Sequence, residues 1–287
     1  MKKFFKKVIC ISLISFYFLQ IKQVQSLIPY YYFPGDENLR KESFSIGKSA
    51  YQLLYFGQYK QSLNLAKLAV KIDKTNEKLW LILAETQLAN ELHEQALRSL
   101  NKAQKINSNI SEIYFAKGNV YFKISQLKNA KTALEKGLKI EPKNHKAIFQ
   151  LGNILLIEKN YSEAINLFDK AVNIKPDFWQ AINNIGLAYY EKNNIHRSMK
   201  FFEKAISIED NAEPLLGLAS CLRTEDIKLA LELAKKALTK DPNYVDYDFR
   251  KEQLWGEKLQ NSTEILLQND QIQTDVTLAK SKINASS

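Results

Sequence analysis

The chain has 287 residues, of which 45% are hydrophobic and 25% charged, and its net charge is +10. This composition is within the range of a globular protein. The positive charge does not indicate a nucleic-acid partner, because five lysines and no acid lie in the first 26 residues, which leaves 36 basic and 31 acidic residues, or about +5, for the rest. In that remainder charges of both signs are interspersed along the chain, a pattern typical of solvated helix faces.

The first 26 residues have the layout of a secretory signal peptide. Four lysines precede an apolar run from Val8 to Leu19, and the segment ends with the compact residues Val24 and Ser26. As a helix, the apolar run would extend ~18 Å, short of the ~30 Å hydrocarbon core of a membrane. We expect cleavage after Ser26 and export to the periplasm, the envelope or the thylakoid lumen. The alternative is an uncleaved anchor, in which residues 8–19 hold the chain at a membrane.

Residues 27–42 are rich in aromatic side chains. Four consecutive aromatic residues, Tyr30 to Phe33, stand between Pro29 and Pro34. Because proline disfavours helix at the residue before it, we expect an extended segment. This segment would either pack over the first repeat as a cap or contact a membrane surface or a partner.

A pattern of small and large apolar residues returns through most of the chain at a fixed interval, which equals the length of the segment 111–144. In residues 111–144 the small residues are Gly118, Ala130 and Gly137, and Pro142 closes the unit. A sixth unit fits when one turn is slightly shorter. The predicted repeats are residues 43–76, 77–110, 111–144, 145–178, 179–211 and 212–244.

Each unit contains two apolar stripes at i, i+3, i+4 and i+7 spacing, which indicates two amphipathic helices. Short breaks such as Lys159-Asn160 and Asn193-Asn194 separate the two stripes. The unit is therefore predicted to be an antiparallel helical hairpin. One hairpin cannot bury its stripe alone, so we expect the six units to stack into a solenoid.

The length of the repeating unit and the order of its tyrosines, glycines, alanines and closing prolines resemble the tetratricopeptide repeat family. The resemblance covers residues 43–244 and implies an all-α, right-handed superhelical solenoid of about six helical hairpins. Ala50 and Ala84 replace the family's glycine, and Lys74 and Ser108 replace its proline.

Two segments follow the predicted repeats. Residues 245–267 resemble the extra helix that caps the open end of such solenoids, where the last hairpin would otherwise expose its apolar face. Residues 268–287 are polar and lack periodicity, so we expect a disordered tail.

The sequence offers no candidate for catalysis, metal binding or cofactor binding. The three histidines, His93, His145 and His196, lie in different repeats, and no pair has the spacing of a metal site. There is no glycine-rich phosphate loop and no nucleophile motif. Without the first 26 residues only Cys221 remains as a thiol, and its apolar surroundings indicate a buried small residue. We therefore expect no enzyme, no cofactor, no metal and no small-molecule substrate.

The resemblance implies a concave groove, lined by the first helix of each repeat, that holds an extended peptide or a partner's helix. The candidate groove residues are Phe115, Asn119, Phe122, Phe149, Asn153, Leu156, Asn183, Leu187 and Tyr190. Asparagine side chains carry donors and an acceptor for a peptide backbone, and the phenylalanines would select apolar side chains. The alternative is that these residues only fill space between neighbouring helices. The groove would be bordered by Glu85, Glu112, Lys123, Lys146 and Gln150.

Family members that bind the C-termini of chaperones hold carboxylates with a lysine and an asparagine at two groove positions. Phe115 and Phe149 stand where that lysine would be, so the clamp is absent. We expect a non-enzymatic protein-interaction scaffold that assists the assembly or stability of a membrane or envelope complex, for which a photosystem is one candidate. The alternatives are a membrane-tethered structural element and a subunit that presents substrate to a separate enzyme.

Overall fold

The computed structural model describes residues 36–286. By their contacts the residues divide into two units, Met1–Glu42 and Ser43–Ser287. Of the first unit only residues 36–42 are described, as the start of a helix. The predicted signal peptide or anchor, residues 1–26, and the aromatic residues 27–35 lie outside the described residues, so both stay predictions.

Between Asp36 and Ser286 the chain forms fifteen α-helices and two short 3-10 helices, with no strand in that range. The first twelve α-helices form six consecutive hairpins. They are α1 (Asp36–Tyr55) and α2 (Tyr59–Ile72), α3 (Glu77–Ala89) and α4 (His93–Ile106), α5 (Ser111–Lys123) and α6 (Leu127–Ile140), α7 (His145–Ile157) and α8 (Tyr161–Ile174), α9 (Trp179–Glu191) and α10 (Ile195–Ile208), α11 (Ala212–Leu222) and α12 (Ile227–Lys240). A 3-10 helix at Pro242–Val245, α13 (Tyr247–Glu252), α14 (Glu257–Leu267), a second 3-10 helix at Asp270–Ile272 and α15 (Gln273–Ser286) follow.

The turn inside each of the first five hairpins has one residue in the left-handed region of backbone space. In the third hairpin this residue is Ser125, with φ of 59°. Its N–H donates to the carbonyl of Phe122 at 2.9 Å, and the N–H of Gln126 donates to that of Tyr121 at 2.8 Å. These two bonds form a Schellman motif, which reverses the chain without leaving the last carbonyls of the helix unpaired.

Glycines on the first helix of a repeat let the second helix pack closely. A Cβ atom added at Gly152 would collide with the ring of Phe168, and one added at Gly186 would stand 2.8 Å from the ring of Phe202. Both phenylalanines are fully buried. Burial of such a side chain contributes about 1.5–3 kcal/mol, so an aromatic ring that fits onto a glycine holds each of these hairpins together.

The buried side chains form clusters that cross the boundaries between repeats. One cluster joins the first and second repeats, one the second and third, and one the third and fourth. The largest joins the fourth to sixth repeats with the C-terminal helices. Because each repeat buries its stripe against its neighbours, the predicted all-α solenoid of helical hairpins is confirmed.

The first helix begins earlier than predicted. The prediction of an extended segment over residues 27–42 is wrong for residues 36–42, which belong to α1. No proline follows Pro34 in this stretch, and the helix starts with the acidic residues Asp36 and Glu37. Acidic residues suit the first turn because they lie at the positive end of the helix dipole.

The C-terminal residues differ most from the prediction. Residues 245–267 form two helices and a turn rather than one capping helix, and the expected disordered tail, residues 268–287, is helical up to Ser286. Ile272, Val276 and Ala279 are buried in the cluster of the last hairpin. They are spaced by four and then three positions, which gives a narrow apolar stripe on one face of the helix. The average hydropathy of the whole tail hides this stripe, because the surrounding residues are polar.

Helix α15 covers the last hairpin. It packs against α12, the second helix of the sixth repeat, and Asp275 forms an ion pair with Lys235 of α12 at 3.7 Å. The capping role that the sequence suggests for residues 245–267 therefore belongs to the following helix.

Candidate peptide-binding groove

The first helices of the hairpins line one face of the repeats, which we call the groove. In α5 the residues on this face include Glu112, Phe115 and Asn119, the second, fifth and ninth residues of the helix. The groove has two parts. The open groove lies on α1, α3, α5 and α7, and the covered groove lies on α9 and α11, where the chain's own C-terminal residues occupy it.

The first cavity of the open groove has a volume of about 460 Å³ and lies between α1, α3 and α5. Its walls are largely apolar. The apolar lining residues are Phe44, Tyr51, Leu81, Ile82, Ile110 and Ile113. Tyr51 is 53% exposed, so its ring is available to a ligand. The cavity volume is within the range of pockets that bind ligands.

The second cavity has a volume of about 450 Å³ and lies between α3, α5 and α7. Phe115 and Asn119 line it, opposite Lys146 of α7. Glu85 and Glu112 line both this cavity and the first one. The two cavities therefore adjoin at this pair of carboxyl groups, and the open groove continues across at least three repeats.

The Glu85 carboxyl group has an unusual protonation equilibrium. Burial and, to a smaller extent, the negative charge of Glu112 raise the pKa of Glu85 to about 7. Near neutral pH the group is therefore present in both its charged and neutral forms. A cation placed beside it would favour the charged form.

The covered groove holds the segment Leu254–Leu267. Its Trp255 is 4% exposed, and the indole N–H donates to Oε1 of Glu213 in α11 at 3.2 Å. The Ser262 hydroxyl donates to the carbonyl of Ser220 at 3.0 Å. Ser220 is the ninth residue of α11, equivalent to Asn119 in α5. The C-terminal segment thus lies on the groove face of the last two repeats.

Glu191 of α9 holds the start of α14 in this position. Its carboxylate accepts the backbone N–H of Leu259 at 3.0 Å and that of Lys258 at 3.4 Å. The first N–H groups of a helix lack partners within it and form the positive end of its dipole, so a carboxylate there is favourable. A Cβ atom at Gly256 would stand 2.5 Å from Cγ of Glu191, so the close approach requires glycine.

Several predicted groove residues are not available to a partner. Asn183, Leu187 and Tyr190 are buried in the covered groove. Asn153 already accepts a hydrogen bond at Oδ1 from Nδ2 of Asn184 at 2.9 Å. For these four residues, the prediction of direct peptide contact does not agree with the structure, because the protein itself satisfies or covers their side chains.

The predicted phenylalanines mainly fill space, as the alternative interpretation states. The Phe115 ring packs onto Gly137 of its own hairpin. The Phe149 ring lies 5.6 Å from Phe168 and 5.0 Å from Phe178 between ring centroids. Three of the predicted residues line a third cavity that the C-terminal segment closes on one side. They are Phe122, Leu156 and the buried Leu187.

Of the nine predicted residues, Phe115 and Asn119 line the open groove. The apolar cavity on α1 and α3 is absent from the prediction. Its signal was present, because Leu81 is the fifth residue of α3 and Glu85 the ninth, the same places that Phe115 and Asn119 take in α5. Extending the alignment of groove positions to the first two repeats would have identified the cavity.

Glu213 makes the stability of the covered groove depend on pH. Burial raises the pKa of Glu213 to about 7, although Trp255, Asn183 and Tyr244 hydrogen-bond to it. The folded pKa lies above the unfolded value of about 4.5, so protonation of Glu213 stabilises the folded state. This contribution to the free energy of unfolding is complete below about pH 4.5 and is lost as the pH rises through about 7. The free energy of unfolding of Glu213→Gln should therefore equal that of wild type at about pH 5 and exceed it at about pH 8.

Urea unfolding across this pH range measures the difference between the two proteins. Glu232→Gln, at an exposed position of α12, is the matched control and should show no such trend. A stability difference between Glu213→Gln and wild type that is the same at every pH would contradict the raised pKa.

The described residues contain no group of three or more histidine, cysteine, aspartate or glutamate side chains that could hold a metal ion. Cys221 is buried, and burial raises the pKa of its thiol to about 12. Its Sγ lies 3.6 Å from the Ser198 hydroxyl. The thiol is therefore a packing group, as predicted. None of the helices between Asp36 and Ser286 is both long and apolar enough to cross a membrane.

The fold and the groove place the chain in the class of protein-interaction scaffolds built from helical repeats. Models of the tetratricopeptide repeat family match residues 111–144, 152–193 and 180–211. These matched residues are therefore tetratricopeptide repeats.

Solved structures with the same fold cover most of the repeats. A MamA structure is 26% identical, covers 61% of this chain and 93% of its own, and superposes with a TM-score of 0.51. PilF of Pseudomonas aeruginosa is 16% identical, with 77% and 99% of the two chains covered and a TM-score of 0.64. PilW, described as a widely conserved type IV pilus biogenesis factor, is 19% identical, with 76% and 97% covered and a TM-score of 0.59. A comparison with curated protein sequences found no match.

Proposed function

We propose that this protein is a non-enzymatic scaffold that binds a peptide or helix of a partner protein in its open groove. The observation that carries the proposal is the contrast between the two parts of the groove. Two adjoining cavities of about 460 and 450 Å³ remain open on the first four repeats. On the last two repeats a protein segment already fills the same face.

The occupied part supports the groove as a protein-binding surface. The bound segment combines an apolar anchor, Trp255, with hydrogen bonds from backbone and side-chain groups to Glu191 and Glu213. The open groove offers the same combination of apolar walls and carboxyl groups. Its exposed Tyr51 is the type of large aromatic residue that often contributes most to binding at protein interfaces.

We further propose that the protein acts outside the cytoplasm in the assembly or stability of a membrane or envelope complex. This part rests on the N-terminal sequence, where lysines, an apolar run and compact residues follow in the order of an export signal. PilW is a pilus biogenesis factor by its description, but at 19% identity the likeness concerns the fold.

Affinity purification from the membrane fraction of the source cells tests this function. The bait is the full chain, either wild type or with Tyr51→Ser and Asn119→Ala, which remove an exposed ring and an amide from the open groove. We expect wild type to retain a partner that the variant loses at least about tenfold, since two interface side chains commonly contribute more than ~1.4 kcal/mol. Mass spectrometry of the retained proteins names the client, a photosystem or another complex.

The matched control carries Tyr59→Ser and Asn129→Ala, two exposed residues on second helices, away from the groove. It should bind as wild type does, and all three proteins should have the same melting temperature. Identical sets of retained proteins for wild type and the groove variant would reject the open groove as the binding site.

A further inference from the structure

The two carboxyl groups at the junction of the open cavities lack a cationic partner. No hydrogen bond or ion pair is found for the Glu85 carboxyl group within residues 36–286, and the Glu112 carboxylate accepts one from the Ser111 hydroxyl at 3.0 Å. Lys48, Lys78 and Lys146 line the same cavities, but none of them forms an ion pair with either glutamate in the described residues.

An unpaired and largely buried carboxylate is unfavourable. In the free protein Glu85 reduces this cost by being partly protonated near neutral pH, since its pKa is raised to about 7. A cationic side chain from a ligand would instead pair with the charged form and with Glu112 at the same time. The junction is therefore complementary in charge to a basic residue.

The covered groove shows what the equivalent position does when a segment is bound. Glu112 is the second residue of α5, and Glu213 is the second residue of α11. Glu213 accepts the indole N–H of Trp255 from the docked segment at 3.2 Å. A glutamate at this place of a first helix thus receives a donor from the segment lying in the groove, beside a large apolar side chain.

We propose that the open groove recognises a partner segment that presents an arginine or lysine side chain to Glu85 and Glu112 and an adjacent large apolar side chain to the cavity lined by Tyr51, Leu81 and Ile82. This inference specifies the ligand of the site proposed above and depends on that proposal. Apolar contact supplies most of the affinity, and the carboxyl pair supplies the selection for positive charge.

Synthetic peptides of about ten residues, which span ~33 Å when extended, test the inference by calorimetric titration of the full chain. Each peptide carries one phenylalanine and, a few positions away, either arginine or its neutral isostere citrulline, in a background of glycine and serine. We expect the arginine peptide to bind at least about tenfold more tightly than the citrulline peptide, as for a charge pair on a partly buried surface.

The double substitution Glu85→Gln and Glu112→Gln should abolish this preference while binding of the citrulline peptide stays the same. Glu232→Gln, an exposed substitution in α12, should keep the preference. If the preference for arginine survives in the double variant, the two glutamates are not the recognition site and the inference is wrong.

The pH dependence of binding gives an independent readout. Several ionisable groups line the same cavities as Glu85, namely Glu77 and Lys78 of its own helix and Lys48, Glu112 and Lys146 of the neighbouring first helices. Because the charged form of Glu85 binds the cation, the affinity of wild type for the arginine peptide should rise as the pH increases through about 7. The variant Glu85→Gln should lose this rise.

The outcomes separate this inference from the proposed function. Equal binding of arginine and citrulline peptides to wild type, with weaker binding of both to Tyr51→Ser and Asn119→Ala, would overturn the charge selection and leave the groove as a binding site. Failure of every peptide to bind would overturn both. Analytical sedimentation of the protein alone tests whether a second copy of this chain occupies the groove. Self-association that the double variant Glu85→Gln and Glu112→Gln abolishes would identify that copy, and not another protein, as the ligand.

Discussion

Phe168→Ala is expected to lower the free energy of unfolding by about 3–5 kcal/mol. Phe168 is fully buried in α8, and its ring packs onto Gly152 and against Phe149. The space opposite Gly152 cannot close easily, because the glycine has no side chain to move into it and α7 is held on its other side by the third repeat. The truncation therefore loses the transfer free energy of the ring and leaves a cavity.

Urea unfolding followed by circular dichroism measures this loss. Phe56→Ala is the matched control, because that ring is 71% exposed and its removal should change the midpoint little. A loss below about 1 kcal/mol for Phe168→Ala would mean that α7 and α8 move together to fill the space, contrary to the rigid packing inferred here.

Arg250→Met should cost about 2–4 kcal/mol and release α14 from the covered groove. Arg250 is fully buried and donates from Nη1 to the carbonyl of Tyr244 at 2.7 Å and from Nε to Oε1 of Gln260 at 2.8 Å. It also forms an ion pair with Glu264. Methionine has a similar length but no donor, so the buried carbonyl and amide oxygen would lose their hydrogen bonds.

Amide hydrogen exchange measures the release of α14 from the covered groove. The backbone N–H groups of Lys258 and Leu259 donate to Glu191, so they should exchange faster in Arg250→Met than in wild type. Arg197→Met is the control, because Arg197 is exposed and bonds the Tyr189 hydroxyl at 3.1 Å. Unchanged exchange at both amides would show that Trp255 and Glu191 hold the segment without the arginine.

Release of α14 would also lengthen the groove. Asn183, Leu187 and Tyr190, which sequence reasoning assigned to peptide binding, would then become exposed. Under the proposed function, the C-terminal segment would restrict partner binding in wild type to the first four repeats.

The repeating part of the fold was predictable because its contacts are local. The same interval recurs along the sequence, and each helix packs on elements within about one repeat of itself. Gly152 and Phe168, which belong to the two helices of one hairpin, show how one small and one large residue in each unit encode that hairpin. Repeats that bury their stripes against neighbours need no information from distant residues.

The candidate site was predictable only in part. Position within the first helix placed Phe115 and Asn119 on the groove face, where both line a cavity. The same rule would have reached Leu81, whereas Glu85 was already expected at the border of the groove. The rule could not distinguish an exposed groove residue from a covered one. Asn119 and Asn183 are both asparagines on first helices, but Asn183 is fully buried and hydrogen-bonds to Glu213 of the next repeat.

From the sequence alone, the period determines the number of hairpins, the position of the repeat helices apart from the start of α1, and the family that the repeats resemble, because short-range apolar spacing decides these features. Only the tertiary structure decides which part of the groove is open. That outcome depends on contacts such as Trp255 to Glu213, 42 residues apart, and Leu259 to Glu191, 68 residues apart. Such contacts follow from three-dimensional fit and buried hydrogen bonding, and no periodic pattern in the sequence records them.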